Sequence, residues 1–303
     1  MPIPRRTAAL LLAAAATADL GATPAIAAPV GSSNAAAPEV PKDPNNPMDF
    51  PPTGPNVVVL GDSFMANPDL IYDLGKYVWP GIVPTSLPRQ DGCLQTDDNA
   101  ARQLAALTQR RVDDWSCPGQ TSVALVERTR TAIAKKYLGP ATTSVVIGIG
   151  GNDSGPFAAQ QGIDVNNPQA VHDALTTNMR LVASDIHGAA PNAKIIMVGL
   201  PEISAGPNIC VINVVPGAPG AVPFGVSDFE QRVRTNQRDA AAAVGATFVD
   251  VHEQTRGHNT CAPDDQRYVA GIIDTTSPKY HFVVHPTVLG SRAIAEGAAN
   301  ALA

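Results

Sequence analysis

The chain has 303 residues, 44% of them hydrophobic and 16% charged, with a formal net charge of −6. The acidic balance gives no electrostatic reason for nucleic acid binding, and no stretch after the N-terminal segment reaches the length of a membrane-spanning helix. The four cysteines, Cys93, Cys117, Cys210 and Cys261, have no C-x-x-C spacing and no histidine at zinc-finger spacing, which argues against a zinc site.

The N-terminus reads as an export signal. Arg5 and Arg6 precede a run of small residues and leucines from Thr7 to Ala18, and Ala25-Ile26-Ala27 offers a cleavage site. The apolar run is too short, and too soon interrupted by Asp19, to span a membrane. Residues 1–27 are therefore expected to be a signal peptide, and its removal takes the net charge to −7. Residues 28–55 are rich in Ala, Pro, Asn and Ser with little apolar periodicity, as in a flexible leader. The remaining 56–303 suits one α/β domain. In an exported chain four cysteines imply two disulfides, with three possible pairings. The sequence neighbours Cys93–Cys117 and Cys210–Cys261 close the shortest loops.

Val57-Val58-Val59-Leu60 is a buried strand running into Gly61-Asp62-Ser63. An irregular, Pro- and Gly-rich stretch over 64–92 precedes a helix expected over 96–110, capped by Thr96, with Arg110 and Arg111 in its last turn. Trp115 to Thr121 reads as a strand end and turn, followed by a helix to Lys136. Ser144 to Ile149 is a second buried strand, ending in Gly150-Gly151-Asn152-Asp153. A helix over 168–188 carries Val171, Leu175, Met179, Val182 and Ile186 on one face. Lys194 to Gly199 is a third strand. Residues 201–225 read as a long apolar loop, either folded on a small core of its own or forming a wall for an acyl chain. Ser227 and Glu230 form a capping-box pattern for a helix ending at Gly245. A fourth strand, 246–251, an irregular stretch, 252–284, and a helix over 288–302 complete the chain. Alternating strands and helices imply a parallel sheet covered on both faces.

Four motifs stand just past strands or before helices: Gly61-Asp62-Ser63, Gly119 in a Cys-Pro-Gly turn, Gly150-Gly151-Asn152-Asp153, and His285-Pro286. In this order they resemble those of the SGNH hydrolases, also called GDSL esterases and lipases, and in particular the secreted actinobacterial branch. The resemblance covers about residues 57–300 and implies a flavodoxin-like three-layer α/β/α sandwich. It also implies a serine hydrolase of acyl esters that needs no cofactor and no metal. Ser63 would be the nucleophile and His285 its base. The Ser63 N–H, the Gly119 N–H and the Asn152 amide would form the oxyanion hole. Secreted relatives carry a bridge just before the Gly119-type turn and another late in the chain, consistent with the pairing above.

One position departs from the family pattern. The family places an aspartate three residues before its histidine, and here that residue is Phe282. Either a backbone carbonyl of Tyr280, His281 or Phe282 orients the imidazole, giving a Ser–His dyad, or Asp274 or another nearby acid reaches in from the loop. The expected partner is a small-molecule or lipid acyl ester met outside the cell or at its envelope, by a monomer. A carbohydrate acetylesterase and an inactive surface-binding module on the same fold are the competing readings. A flavodoxin-type nucleotide binder would need a phosphate-binding glycine loop after the first strand, which is lacking.

Overall fold

The structure, a computed structural model, describes residues 53–69 and 88–303. The expected signal peptide, most of the leader and part of the 64–92 stretch lie outside the described residues.

In chain order the strands are β1 (Asn56–Gly61), β2 (Arg89–Gln90), β3 (Cys93–Leu94), β4 (Val112–Asp114), β5 (Thr142–Gly148), β6 (Lys194–Val198), β7 (Asn208–Asn213), β8 (Gly220–Pro223), β9 (Thr247–Val249) and β10 (Ile273–Asp274). The helices are α1 (Ser63–Ala66), α2 (Ala100–Thr108), α3 (Ser122–Ala134), α4 (Pro156–Gln160), α5 (Pro168–Ala189), α6 (Val226–Ala243), α7 (Val251–Gln254) and α8 (Val288–Leu302). Five strands form the central sheet in the order β4-β1-β5-β6-β9, and every neighbouring pair is parallel.

The sheet is buried on both faces, so its central strands β1, β5 and β6 carry continuous apolar runs. Val58, Leu60, Val145, Ile147 and Met197 pack with Leu125 of α3, Leu175 and Met179 of α5, and Ala240 of α6. Their neighbours Val57, Val59, Val146, Ile196 and Val198 pack on the opposite face with Leu104 of α2 and Ile294 of α8. Val57 through Leu60 have no exposed surface. Burying one such side chain contributes about 1.5–3 kcal/mol, so β1 firmly supports the turn that follows it. The strand order reverses between β1 and β5, because the chain leaves β1 for β4 on one side and returns to β5 on the other. Such a reversal opens a crevice at the carboxyl ends of the strands, and Ser63 and Asn152 lie immediately beyond those two ends.

The fourth strand is shorter than expected, Thr247–Val249, because Asp250 caps a short helix that opens at Val251, and local elements differ at three further places. The second helix starts at Ala100, not at Thr96, because Asn99 is its cap and accepts from the Arg102 N–H at 3.0 Å. It stops at Thr108, since Gln109 turns left-handed at φ 53°, so Arg110 and Arg111 fall outside. The Ser227–Glu230 capping box does not form: α6 begins at Val226, and the Glu230 carboxylate accepts from the N–H of Ile203 and Ser204 and from the Ser204 hydroxyl. Residues 208–223 are a hairpin, not a loop, and β10 extends it to a small three-stranded sheet in the order β10-β7-β8. Ile209 of this hairpin is buried, while Ile212, Val214, Val215 and Val222 are exposed.

Candidate active site

Ser63 is delivered by a turn that only glycine can open. Gly61, at φ 157°, would place a Cβ 2.5 Å from the Gly148 carbonyl oxygen and 2.6 Å from Met65 Cγ. After it, the Asp62 N–H donates to Gly148 O at 3.0 Å, and the Asp62 carboxylate accepts from the Phe64 N–H at 2.9 Å, capping α1. Asp62 is thus occupied by its own turn. Burial pushes its carboxyl up to about 7, the Phe64 N–H opposes this, and the nearby Asp153 adds to it.

His285 meets Ser63 across 222 positions of chain, with Nε2 2.8 Å from the Ser63 oxygen. Its Nδ1 lies 2.9 Å from the Val283 carbonyl oxygen. A carbonyl only accepts, so Nδ1 carries the ring's proton. In the neutral ring the Nε2 lone pair then faces the Ser63 hydroxyl, which donates to it. Both side chains are buried, and burial draws the His285 pKa down to about 4, with the Val283 bond partly opposing. Phe64 and Phe282 flank the ring, with centroids 4.5 and 4.2 Å away.

The segment carrying His285 is bent and tied on both sides. Val284 sits at φ 55°, a conformation that costs a β-branched residue on the order of 1–3 kcal/mol and persists only where neighbours enforce it. Val284 N donates to Gly271 O at 3.3 Å, and His285 O accepts from Ala270 N at 3.1 Å. Thr287 N donates to Tyr268 O at 2.9 Å, and Asn67 Nδ2 donates to Pro286 O at 3.1 Å. Asn67 caps α1 in the left-handed region, so the chain that carries Ser63 also holds the residue after His285.

Gly119 and Asn152 occupy two facing loops beside this pair. The Cys117 N–H donates to Gly61 O at 2.9 Å, which sets the Cys-Pro-Gly turn against the turn that carries Ser63. Gly119 has φ 74°, the left-handed region that favours glycine. Asn152 Nδ2 donates to Gln120 O at 2.8 Å, and Asp153 accepts from the Ser122 N–H at 2.8 Å. Each amide has two N–H donors, so one bond to Gln120 leaves the Asn152 amide a second. Cys93 is bonded to Cys117, two residues from Gly119, and Cys210 to Cys261.

The remaining sequence candidates separate. The carbonyl facing His285 is that of Val283, not of Tyr280, His281 or Phe282, because the bend at Val284 folds it back onto the ring. Asp274 is spent elsewhere: its carboxylate accepts from Arg267 Nη1 at 3.1 Å, Asn213 Nδ2 at 3.0 Å and Gly271 N at 2.8 Å. Phe282 packs on the imidazole instead of hydrogen-bonding to it. The apolar stretch 201–225 serves partly as a core, since Ile203 and Ile209 pack with Phe64 and Val284, which adjoin Ser63 and His285, and Val211 and Phe224 lie against them. Sequence reasoning missed Asn67 and the side chain of His281, of which it considered only the carbonyl. A left-handed C-cap asparagine is a weak signal for the first, and the His281–His285 spacing of four is the only one for the second.

Comparison with known proteins bears on the whole described domain. Residues 59–293 match the family model described as "GDSL-like Lipase/Acylhydrolase family". The curated "Lipase 2" of Streptomyces coelicolor is 25% identical over 271 residues, covering 79% of this chain and 83% of that protein. Among solved structures, phospholipase A1 from Streptomyces albidoflavus superposes with a TM-score of 0.53 at 19% identity, covering 82% of this chain and 100% of that one. The extracellular lipase of Streptomyces rimosus gives 0.53 at 18% identity with the same coverage. At these identities the two structures establish a shared fold.

Proposed function

Because the chain belongs to the GDSL-like lipase/acylhydrolase family and is an SGNH-type ester hydrolase, we propose that it is a secreted serine esterase or lipase that cleaves acyl esters through an acyl-enzyme on Ser63. The observation that carries this reading is the 2.8 Å approach of His285 Nε2 to the Ser63 hydroxyl.

The steps follow from the atoms in place. Ser63 Oγ attacks the ester carbonyl carbon while its proton passes to Nε2. The carbonyl oxygen becomes an oxyanion, and the N–H groups of Ser63 and Gly119 and the Asn152 amide receive it. Each such donor is worth about 100- to 1000-fold in turnover. The intermediate collapses, the C–O bond to the alcohol breaks, and the leaving oxygen takes the proton from Nε2. Water then repeats the cycle on the acyl-enzyme, releasing the acid and restoring the Ser63 proton. Throughout, Val283 O holds the Nδ1 proton, so that His285 shuttles only through Nε2.

Secretion is supported by the N-terminal motif and by two disulfides, which persist in oxidising compartments. The relatives named lipase and phospholipase favour fatty-acyl substrates, and so does the apolar 201–225 segment packed beside Phe64 and Val284. The test is a series of p-nitrophenyl esters, from acetyl to palmitoyl, given to the mature protein and to Ser63→Ala. Turnover lost in Ser63→Ala, and highest with medium or long chains, is the expected result. Equal rates from both proteins would remove the proposal, and a preference for acetylated sugars would redirect it to a carbohydrate esterase.

A further inference from the structure

Four residues before His285, a second histidine is buried between two carboxylates. His281 is 5% exposed. Its Nδ1 lies 2.9 Å from Asp69 Oδ2, and its Nε2 lies 2.7 Å from Asp98 Oδ1. Both partners only accept when ionised, so both ring nitrogens donate and the ring is an imidazolium. Lys279 adds its ammonium to Asp98 at 2.6 Å. The charged groups facing the ring are therefore Asp69 from the segment after α1, Asp97 and Asp98 before α2, and Lys279 on its own strand of chain.

The three partners belong to three parts of the fold. Asp69 follows the short helix that begins at Ser63, and Asp98 stands at the head of α2. His281 opens the segment 281–285, whose Val283 carbonyl holds His285. That segment contains the left-handed Val284, and its far side is anchored by Thr287 and by Asn67 on Pro286. On the near side the Lys279 carbonyl accepts from the Val288 N–H at 2.7 Å, and His281 supplies the side-chain anchor that stands next to the bend. A bend that costs free energy relaxes unless both of its ends are held.

We infer that His281, clamped as a cation between Asp69 and Asp98, is a positioning residue that keeps the Val283 carbonyl on His285 Nδ1 and so keeps Nε2 aimed at Ser63. The inference rests on the dyad reading above and deepens it: what a family aspartate would do by its own charge is done here by a carbonyl, whose place is set by an ion triad four residues upstream. The protonation state agrees. Burial pulls the His281 pKa down, but Asp69 and Asp98 outweigh it and raise it to about 9, while Asp98 is held at about 2, its own burial outweighed by His281 and Lys279.

A consequence is an alkaline limit to turnover. As pH rises through about 9, His281 loses one of its two donated hydrogens, a carboxylate then faces a lone pair, and the near anchor opens. The experiment compares the mature protein with Asp69→Asn, which keeps the shape and removes the charge, and with His281→Gln. In Asp69→Asn, kcat is expected to fall by about 10- to 100-fold, the cost typical of a small misplacement of a reacting group. KM should stay within about twofold, and the alkaline limb of the kcat profile should move to lower pH. A profile and kcat that match wild type, in a variant whose His281 titrates lower by NMR, would overturn the inference. The downfield Nδ1 proton of His285 is a readout independent of turnover: it should weaken or exchange faster in both variants, and its persistence unchanged would count against the clamp even if His281→Gln folded poorly. Failure of the dyad reading shows separately, as equal rates from wild type and Ser63→Ala.

Discussion

The carbonyl oxygen of Val283 accepts the Nδ1 proton of His285 at 2.9 Å, although only Val284 separates the two residues. The contact exists because Val284 turns left-handed, at φ 55°. A carbonyl has only a partial charge, so it orients the ring and fixes its tautomer without raising its basicity as a carboxylate would. The imidazole that results, the base in the proposed reaction, is buried, neutral and weak.

Acid tolerance of the chemical step follows. His285 is drawn down to about 4 by burial, with the Val283 bond opposing, so its free base persists well below the usual histidine range. kcat/KM should hold a plateau from neutral pH to about 5 and then fall about tenfold per pH unit below about 4. Quenched time points, with the released alcohol measured by chromatography, give the profile. A midpoint near 6.5 would show that the ring is not desolvated as described. Stability moves with the same group. The folded pKa lies below the unfolded value of about 6.5, so the unfolded chain binds more protons between the two and stability declines as pH falls from about 6.5 toward 4. Rates are therefore to be read well below the melting temperature.

Asp274→Asn should separate stability from catalysis. Arg267 has no exposed surface, and Asp274 is the buried carboxylate of its pair. Removing that charge leaves a buried guanidinium short of compensation, at a cost of about 3–5 kcal/mol. Calorimetry should show a melting temperature lower by about 10 °C, while kcat at low temperature stays within about twofold. A loss of turnover by 100-fold with native stability would instead place Asp274 in the proton path.

The proposed oxyanion donors make a graded prediction. Asn152→Ala removes one N–H donor and the bond to Gln120 O, and kcat should fall by about 100- to 1000-fold with a smaller change in KM. Gly119→Ala adds a methyl group in open contact, 3.7 Å from Phe157, but in a backbone conformation with φ 74° that alanine disfavours. Its loss should therefore come through a shifted turn, with a lower melting temperature as well as a lower kcat.

The two disulfides should behave differently. Closing separations of 24 and 51 residues is worth about 3–4 kcal/mol for each. Replacing Cys93 and Cys117 together by alanine should lower both stability and kcat for every ester, because the bridge ends two residues before Gly119. Replacing Cys210 and Cys261 should lower stability by a similar amount while changing preference among acyl lengths, since that bridge ties β7 to the loop before Arg267. Melting curves and the ester series distinguish the two effects.

Much of the architecture was legible in the residues alone. Continuous apolar runs such as Val57–Leu60, short, rich in β-branched residues and closed by a glycine, read as strands buried on both faces, and the alternating helices cover them. The first three motifs could be placed at strand ends because a glycine or a turn follows each run, and His285-Pro286 could be placed before the last helix. Local patterns misled where a side chain had a better partner elsewhere. Glu230 left its capping box to bind the Ile203 and Ser204 N–H groups, and Asn99 displaced Thr96 as a cap while also bonding Ala66 O and Asp114.

The identity of the group holding His285 was not legible in the same way. Choosing among the carbonyls near Phe282 depends on one backbone torsion at Val284, and no residue type announces that torsion, since valine is among the least suited to it. The sequence determined which chemical groups the protein owns and the order of the elements that carry them. Tertiary structure alone decided which of those groups meet, because the meeting of Ser63, His285, Val283 and His281 is enforced by contacts between segments some two hundred residues apart, whose net free energy no local pattern contains.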